Sequence, residues 1–279
     1  MRYHEFKSKP SFKNQARHLR KLSAQAILDR ARQILGAVVH PMDHKTVSLR
    51  ELPPTAEQVD FDLDETIDQS PLAMAGVLDA SLSGFQMTAD DIWMTYSTPR
   101  RQPIVLTVDT SLSMTGEKLA LTAVALAVVL LEFPEDPIGM IAFENEAKVL
   151  KFPDERISIP QLVERFLDVP AQGYTHLEDG IKAALQQVKS SSINGQGRPP
   201  STVLLTDGKY TAGRDPTYLA ARFPHLIVLK MGKERASLEL CRDLAIKGKG
   251  VLREVDELDV LPAVMYGVVK DLLRGRSIT

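Results

Sequence analysis

The sequence predicts an α/β protein with a doubly wound, mostly parallel sheet that carries helices on both faces, preceded by a mainly helical N-terminal extension. Three observations support this. From Ile104 onward short apolar runs alternate with longer amphipathic stretches, which is the rhythm of consecutive βαβ units. The first of these runs, Ile104 to Val108, is almost continuously apolar, as expected of a strand buried on both faces of a parallel sheet. The chain has 279 residues, 44% of them apolar and 25% charged, the ordinary balance of a globular protein large enough to bury a substantial core.

Taken in chain order, Phe12 to Leu35 reads as a helix with Leu19, Leu22, Ala26, Ile27 and Ala31 on one side and Arg17, Arg20, Lys21, Arg30 and Arg32 largely elsewhere. The charge around it is asymmetric. Residues 1–50 hold eleven Lys and Arg against three Asp and Glu, whereas residues 51–95 hold ten Asp and Glu and no Lys or Arg. The basic helix is therefore expected to dock on its acidic neighbour or on a partner subunit. Pro41 and Pro53-Pro54 end regular structure. The acidic stretch has mixed patterning, with a short helix predicted over Pro71 to Asp79 under a Ser70 cap. On this reading residues 1–98 are an extension and residues 99–279 a separate α/β domain.

Within that domain Ile104 to Val108 is the first strand, and a helix from Lys118 to Phe133 is stopped by Pro134. Strands follow at Ile138 to Phe143 and Lys148 to Phe152, made antiparallel by the short Asn145-Glu146 link. Helices at Ile159 to Leu167 and Leu177 to Lys189 lead through a polar loop to a strand at Thr202 to Leu205. Beyond it come a helix near Thr217 to Arg222, a strand at Leu226 to Leu229, a helix at Leu238 to Lys247, a strand at Val251 to Glu254 and a helix at Val260 to Leu273. The apolar stretch Leu119 to Leu131 is too short to cross a bilayer and reads as a buried helix. Cys241 is the single cysteine, which excludes an intrachain disulfide and a thiolate cluster. Together with an N-terminus that has no apolar signal region it predicts a cytoplasmic protein.

Sheets of this kind bind ligands at the carboxyl ends of their strands, so the residues after each strand carry the functional information. Asp109-Thr110-Ser111-Leu112-Ser113 follows the first strand and converges one carboxylate and two hydroxyls. Thr175 opens the Leu177 helix, and Asp207 follows the Thr202 strand. Hard oxygen donors of this type suit Mg²⁺, or Mn²⁺ or Ca²⁺ in its place. Each element also has an ordinary structural role open to it. Ser113 or Thr115 can cap the Lys118 helix, Thr175 can cap the next one, and Asp207-Gly208 can form a turn.

In this order Asp109, Ser111, Ser113, Thr175 and Asp207 resemble the metal-ion-dependent adhesion site of the von Willebrand factor A domain, written D-x-S-x-S, then Thr, then Asp. The resemblance covers residues 99–279 and extends to Met114, Gly116, Gly180 and the Leu-Leu-Thr-Asp-Gly run; Leu112 departs from the glycine common in the family. It implies direct contact of Ser111 and Ser113 with the ion, contact of Thr175 in the ligand-bound state, and direct or water-mediated contact of Asp109 and Asp207. It further implies a noncatalytic interaction module whose cation takes an Asp or Glu from a partner protein. The cytoplasmic setting and charged leader are similar to adhesion-domain proteins that act as adaptors beside MoxR-type AAA+ ATPases in the maturation or remodelling of other proteins.

An enzymatic alternative rests on Asp62-Leu63-Asp64-Glu65-Thr66, which resembles the opening motif of haloacid-dehalogenase phosphatases, or on a metal hydrolase using His176. The first lacks the buried strand its motif requires, and the second has only a lone histidine. The basic helix is poor in aromatic residues, so nucleic-acid binding is disfavoured. No phosphate-binding G-x-x-x-x-G-K-[ST] loop occurs in the chain.

Overall fold

The computed structural model describes residues 13–34, 42–69, 88–99, 103–134, 136–170, 173–193 and 199–274. The helix expected over Pro71 to Asp79 lies outside them. The chain divides into two compact units: Val39–Arg100 forms one, and the segments on either side of it together form the other. This differs from the division at residue 98, because the N-terminal helix belongs with the large sheet.

In the larger unit six strands are ordered β6-β5-β4-β7-β8-β9. They are β4 (Ile104–Asp109), β5 (Ile138–Phe143), β6 (Ala147–Lys151), β7 (Ser201–Thr206), β8 (Leu226–Met231) and β9 (Leu252–Val255). All adjacent pairs are parallel except β5 with β6, which is antiparallel as the short link predicts. Every residue of β4, β5, β7 and β8 is buried, which explains their unbroken apolar runs. The chain leaves β4 towards β5 on one side and returns to β7 on the other. The switch in strand order therefore falls between β4 and β7.

Helices α1 (Lys13–Ile34), α3 (Glu117–Glu132), α4 (Ile159–Leu167) and α8 (Leu261–Arg274) cover one face. Helices α5 (Leu177–Ile193), α6 (Thr217–Ala220) and α7 (Leu238–Lys247) cover the other. Helix α3 is apolar nearly all round because it lies between the sheet and the helices outside it.

Helix α1 forms close to its expected bounds, but its buried stripe differs. Ala24, Ile27, Leu28 and Ala31 enter the core with Leu19 partly buried, whereas Leu22 is exposed and Ala26 also faces solvent. Arg20 lies at the margin of that stripe. Its guanidinium pairs with Glu164 and Asp168 on α4. The helix thus docks on α3 and α4 of its own unit, and the carboxylates that Arg20 meets belong to α4 and not to residues 51–95.

The Val39–Arg100 unit is an antiparallel sheet ordered β1-β3-β2, from β1 (Met42–Ser48), β2 (Glu57–Phe61) and β3 (Trp93–Pro99), with a short helix α2 (Leu63–Asp68). Helix is thus only part of the N-terminal segment. Strand β2 departs from regular alternation because it carries a bulge between Glu57 and Val59, with Gln58 at φ 50°. Asp62 caps α2 by accepting the Glu65 N–H at 3.1 Å and also accepts the Thr95 hydroxyl at 2.9 Å. This accounts for the first carboxylate of the phosphatase-like run without chemistry. Among the described residues no helix is long and apolar enough to cross a membrane.

Candidate metal centre at the carboxyl edge of the sheet

Strand β4 delivers Asp109 to the carboxyl edge with none of its surface exposed. One carboxylate oxygen, Oδ1, accepts the Ser111 N–H at 2.9 Å, and Oδ2 accepts the Thr206 hydroxyl at 2.9 Å. Since Thr206 ends β7, this bond ties together the two strands that flank the switch point. The Ser111 and Ser113 hydroxyls lie 3.2 Å apart. Neither Ser113 nor Thr115 caps the next helix: α3 opens at Gly116, at φ 74°, with no side-chain cap, and the Thr115 hydroxyl donates to the Leu112 carbonyl.

Asp207 is buried directly after β7. Its Oδ1 accepts the Lys209 N–H at 3.1 Å, as a turn-forming aspartate does. Its Oδ2 is buried and has no hydrogen-bond partner among the described residues. Gly208 permits this turn, since φ is 76° and a Cβ would stand 2.6 Å from Cys241 Sγ. The cysteine is itself inert, because burial pushes its thiol up to about 12.

Thr175 is buried one residue ahead of His176, whose carbonyl accepts the Asp179 and Gly180 N–H groups and so occupies the cap position of α5. Thr175 is thereby spared that role. Its main chain pairs with the loop after β7, donating to Thr211 Oγ1 at 3.0 Å and accepting the Thr211 N–H at 3.0 Å. The His176 ring packs at Gly213, where a Cβ would lie 2.5 Å from it.

The structure thus joins the Asp109 loop to the end of β7 through Thr206, and the Thr175 loop to the segment after Asp207 through Thr211. Sequence reasoning did not assign those two threonines, although Thr206 stands inside the Leu-Leu-Thr-Asp-Gly run. It also missed Glu178, which accepts the Arg214 N–H at 2.9 Å, the Tyr218 hydroxyl at 2.6 Å and the Lys182 ammonium at 2.7 Å. These bonds, the Arg214 N–H foremost, hold its carboxyl down to about 2 and fasten the loop carrying Thr211 to the first turn of α5.

Burial pushes the Asp109 carboxyl up to about 6, and the negative charge of Asp207 adds to the rise against the opposing bonds from Ser111 and Thr206. The folded chain then binds the proton more readily than the unfolded chain, whose value is 3.8. For cation-free protein this contribution to stability is fully present below 3.8 and is lost as pH rises through about 6. Urea melts in EDTA are expected to show that trend. A contribution from this group that grows between those values would contradict the burial of Asp109 as a free carboxylate.

The donor set fits a hard divalent cation. It offers two buried carboxylates, one with an unsatisfied oxygen, and hydroxyls in place of softer ligands. No group of three His, Cys, Asp or Glu suited to a metal occurs among the described residues, so a cation here depends on serine and threonine oxygens.

Comparison with known proteins agrees with this architecture. Residues 104–209 match the family model of the von Willebrand factor type A domain. Human inter-alpha-trypsin inhibitor heavy chain H6 is 26% identical over a region covering 68% of this chain and 17% of its own length. A solved von Willebrand factor type A structure from Catenulispora acidiphila superposes with a TM-score of 0.53 at 15% identity, over 64% of this chain and 44% of its own. Proximal thread matrix protein 1 from the mussel byssus, in a structure with a zinc-occupied MIDAS motif, superposes with a TM-score of 0.50 at 20% identity, over 62% of this chain and 48% of its own. The chain therefore spans less than half the length of each of these proteins. Its larger unit has the fold of the von Willebrand factor type A domain.

Proposed function

We propose that Asp109, Ser111, Ser113, Thr175 and Asp207 form a metal-ion-dependent adhesion site for Mg²⁺, and that the protein is a noncatalytic adaptor gripping an Asp or Glu of a partner. The observation that carries this reading is the buried Asp207 Oδ2, which has no hydrogen-bond partner among the described residues and lies beside a second buried carboxylate. Burial, with the negative charge of Asp207 beside it, raises the cost of ionising Asp109, and a divalent cation relieves that cost. When bound, a divalent ion would supply an electrophilic centre that attracts an anionic oxygen of a partner. The protein's own groups orient that site: Thr206 and the Ser111 N–H fix Asp109, while the Lys209 N–H fixes one oxygen of Asp207 and the other has no partner among the described residues.

The residues on which an enzymatic reading would rest have other roles. Asp62 is engaged as a helix cap, and His176 packs against a loop. The zinc described for the mussel protein's motif makes zinc worth testing beside Mg²⁺, Mn²⁺ and Ca²⁺.

By resemblance the partner is a MoxR-type AAA+ ATPase in the cytoplasm, with the adaptor serving maturation or remodelling of client proteins. Immobilised protein is expected to retain such an ATPase in Mg²⁺ buffer, release it with EDTA, and lose retention in Asp207→Ala. Retention that ignores EDTA would overturn the metal-dependent grip, and absence of retention would overturn the ATPase as partner.

A further inference from the structure

We infer that the segment gripped at this edge is an acidic residue flanked by a large apolar side chain, within a net-negative stretch of a partner protein. The acidic part rests on the adhesion-site reading above; the apolar part rests on separate observations.

Each of the three loops that supply the proposed ligands also presents one large apolar or aromatic side chain to solvent. Leu112 stands between Ser111 and Ser113 and is 62% exposed, Tyr174 precedes Thr175 and is 71% exposed, and Tyr210 follows Asp207 by three residues and is 39% exposed. Isolated exposed apolar residues are ordinary on a protein surface. These three differ because their loops converge. The Ser111 and Ser113 hydroxyls are in contact across Leu112, and Tyr174 and Tyr210 each immediately precede a partner of the Thr175–Thr211 pairing. Each ligand-bearing loop therefore adds one exposed apolar or aromatic side chain to a collar beside the oxygen donors. Tyrosine at such a place contributes a large contact area for little loss of conformational freedom. Leu112 has no structural duty that explains its bulk, since the short helix it opens leaves its side chain in solvent.

The β8 side of the same edge is positively charged. Lys209 pairs with Glu234, and Lys118 and Lys230 act on the same carboxylate, which Lys209 above all holds below the usual carboxylate range. Lys230 is nearly buried and donates to the Gly232 carbonyl at 2.7 Å. Set against the carboxylates of Glu234, Asp207 and Asp109, these three ammonium groups together with the proposed divalent cation leave a surplus of positive charge, which favours approach of an acidic segment and repels a basic one. The collar and this charge together fit a peptide chain that brings both a carboxylate and an apolar neighbour, and they fit a bare anion poorly.

The probe is a random peptide library displayed on phage, selected on the full-length protein in Mn²⁺ and again in EDTA. A parallel selection uses Leu112→Ser/Tyr174→Ser/Tyr210→Ser, whose positions are exposed, with thermal melts and calorimetric Mn²⁺ titration as controls on folding and cation binding. In Mn²⁺ the unsubstituted protein is expected to enrich peptides with Asp or Glu within two residues of Leu, Phe, Tyr or Trp. Those peptides should bind the triple variant at least about tenfold more weakly at equal Mn²⁺ affinity, and raised salt should weaken both. Enrichment of acidic peptides without apolar neighbours, equal binding by the triple variant, or no enrichment at all would each overturn the collar. Apolar enrichment that persists in EDTA and still depends on the three side chains would uphold the collar and overturn the cation grip.

Discussion

Asp109→Asn is expected to abolish divalent-cation binding and leave a folded protein. The asparagine carbonyl can still accept the Ser111 N–H, and its amide can donate to the Thr206 hydroxyl, which in the wild type is instead the donor to Asp109. Removing the buried charge also removes the desolvation that raises this carboxyl. The fold should therefore change by no more than about 1–2 kcal/mol in the absence of cation. With cation the contrast is large. At a free concentration a hundred times Kd, a ligand that binds only the folded state stabilises by about 2.7 kcal/mol. For a protein of this size that corresponds to a rise in Tm of roughly 5–10 °C. Wild type should show this rise on adding Mg²⁺ or Mn²⁺ after EDTA treatment, and Asp109→Asn should show none. A variant with an undiminished shift would place the cation elsewhere.

The second large effect concerns helix α1. Ile27 is 2% exposed and lies in the same apolar layer as α3, α4 and α8. Ile27→Asp puts a carboxylate into that layer and removes a packed side chain, at a cost of at least about 3–5 kcal/mol. Stabilities of whole domains are only about 5–15 kcal/mol, so the variant should unfold at much lower urea or be recovered as aggregate. Leu22→Asp and Ala26→Asp lie on the exposed side of the helix and should stay within about 0.5 kcal/mol of wild type. Circular dichroism melts of the three proteins separate the outcomes. If Ile27→Asp melts like wild type, the helix is not part of the core of the larger unit.

The three α1 positions also show how far periodicity reaches. Leu22, Ala26 and Ile27 are all apolar and fall within one broad helical arc, so the sequence alone placed them together. Packing against α3 and α4 buries only the narrower set Ala24, Ile27, Leu28 and Ala31, because the contact between two helices is narrower than the apolar arc that the sequence offers. The strands of the smaller unit illustrate a different limit. Their pairing is long-range, with Met42 opposite Pro99 and Phe61 opposite Met94, and in β2 a bulge displaces the alternation that would mark it locally.

By itself the sequence determined the alternation of strands and helices from Ile104 to Leu273, because burial on both faces demands uninterrupted apolar runs that survive without knowledge of their neighbours. It also determined which oxygen-bearing residues stand directly after those strands. The tertiary structure alone decided that Thr206 would lock Asp109, that Thr211 would hold the main chain of Thr175, and that one oxygen of Asp207 would be buried with no partner among the described residues. Those facts depend on which strand ends lie side by side. Strand order across a switch point is set by the packing of whole helices on a whole sheet, and no local spacing encodes it.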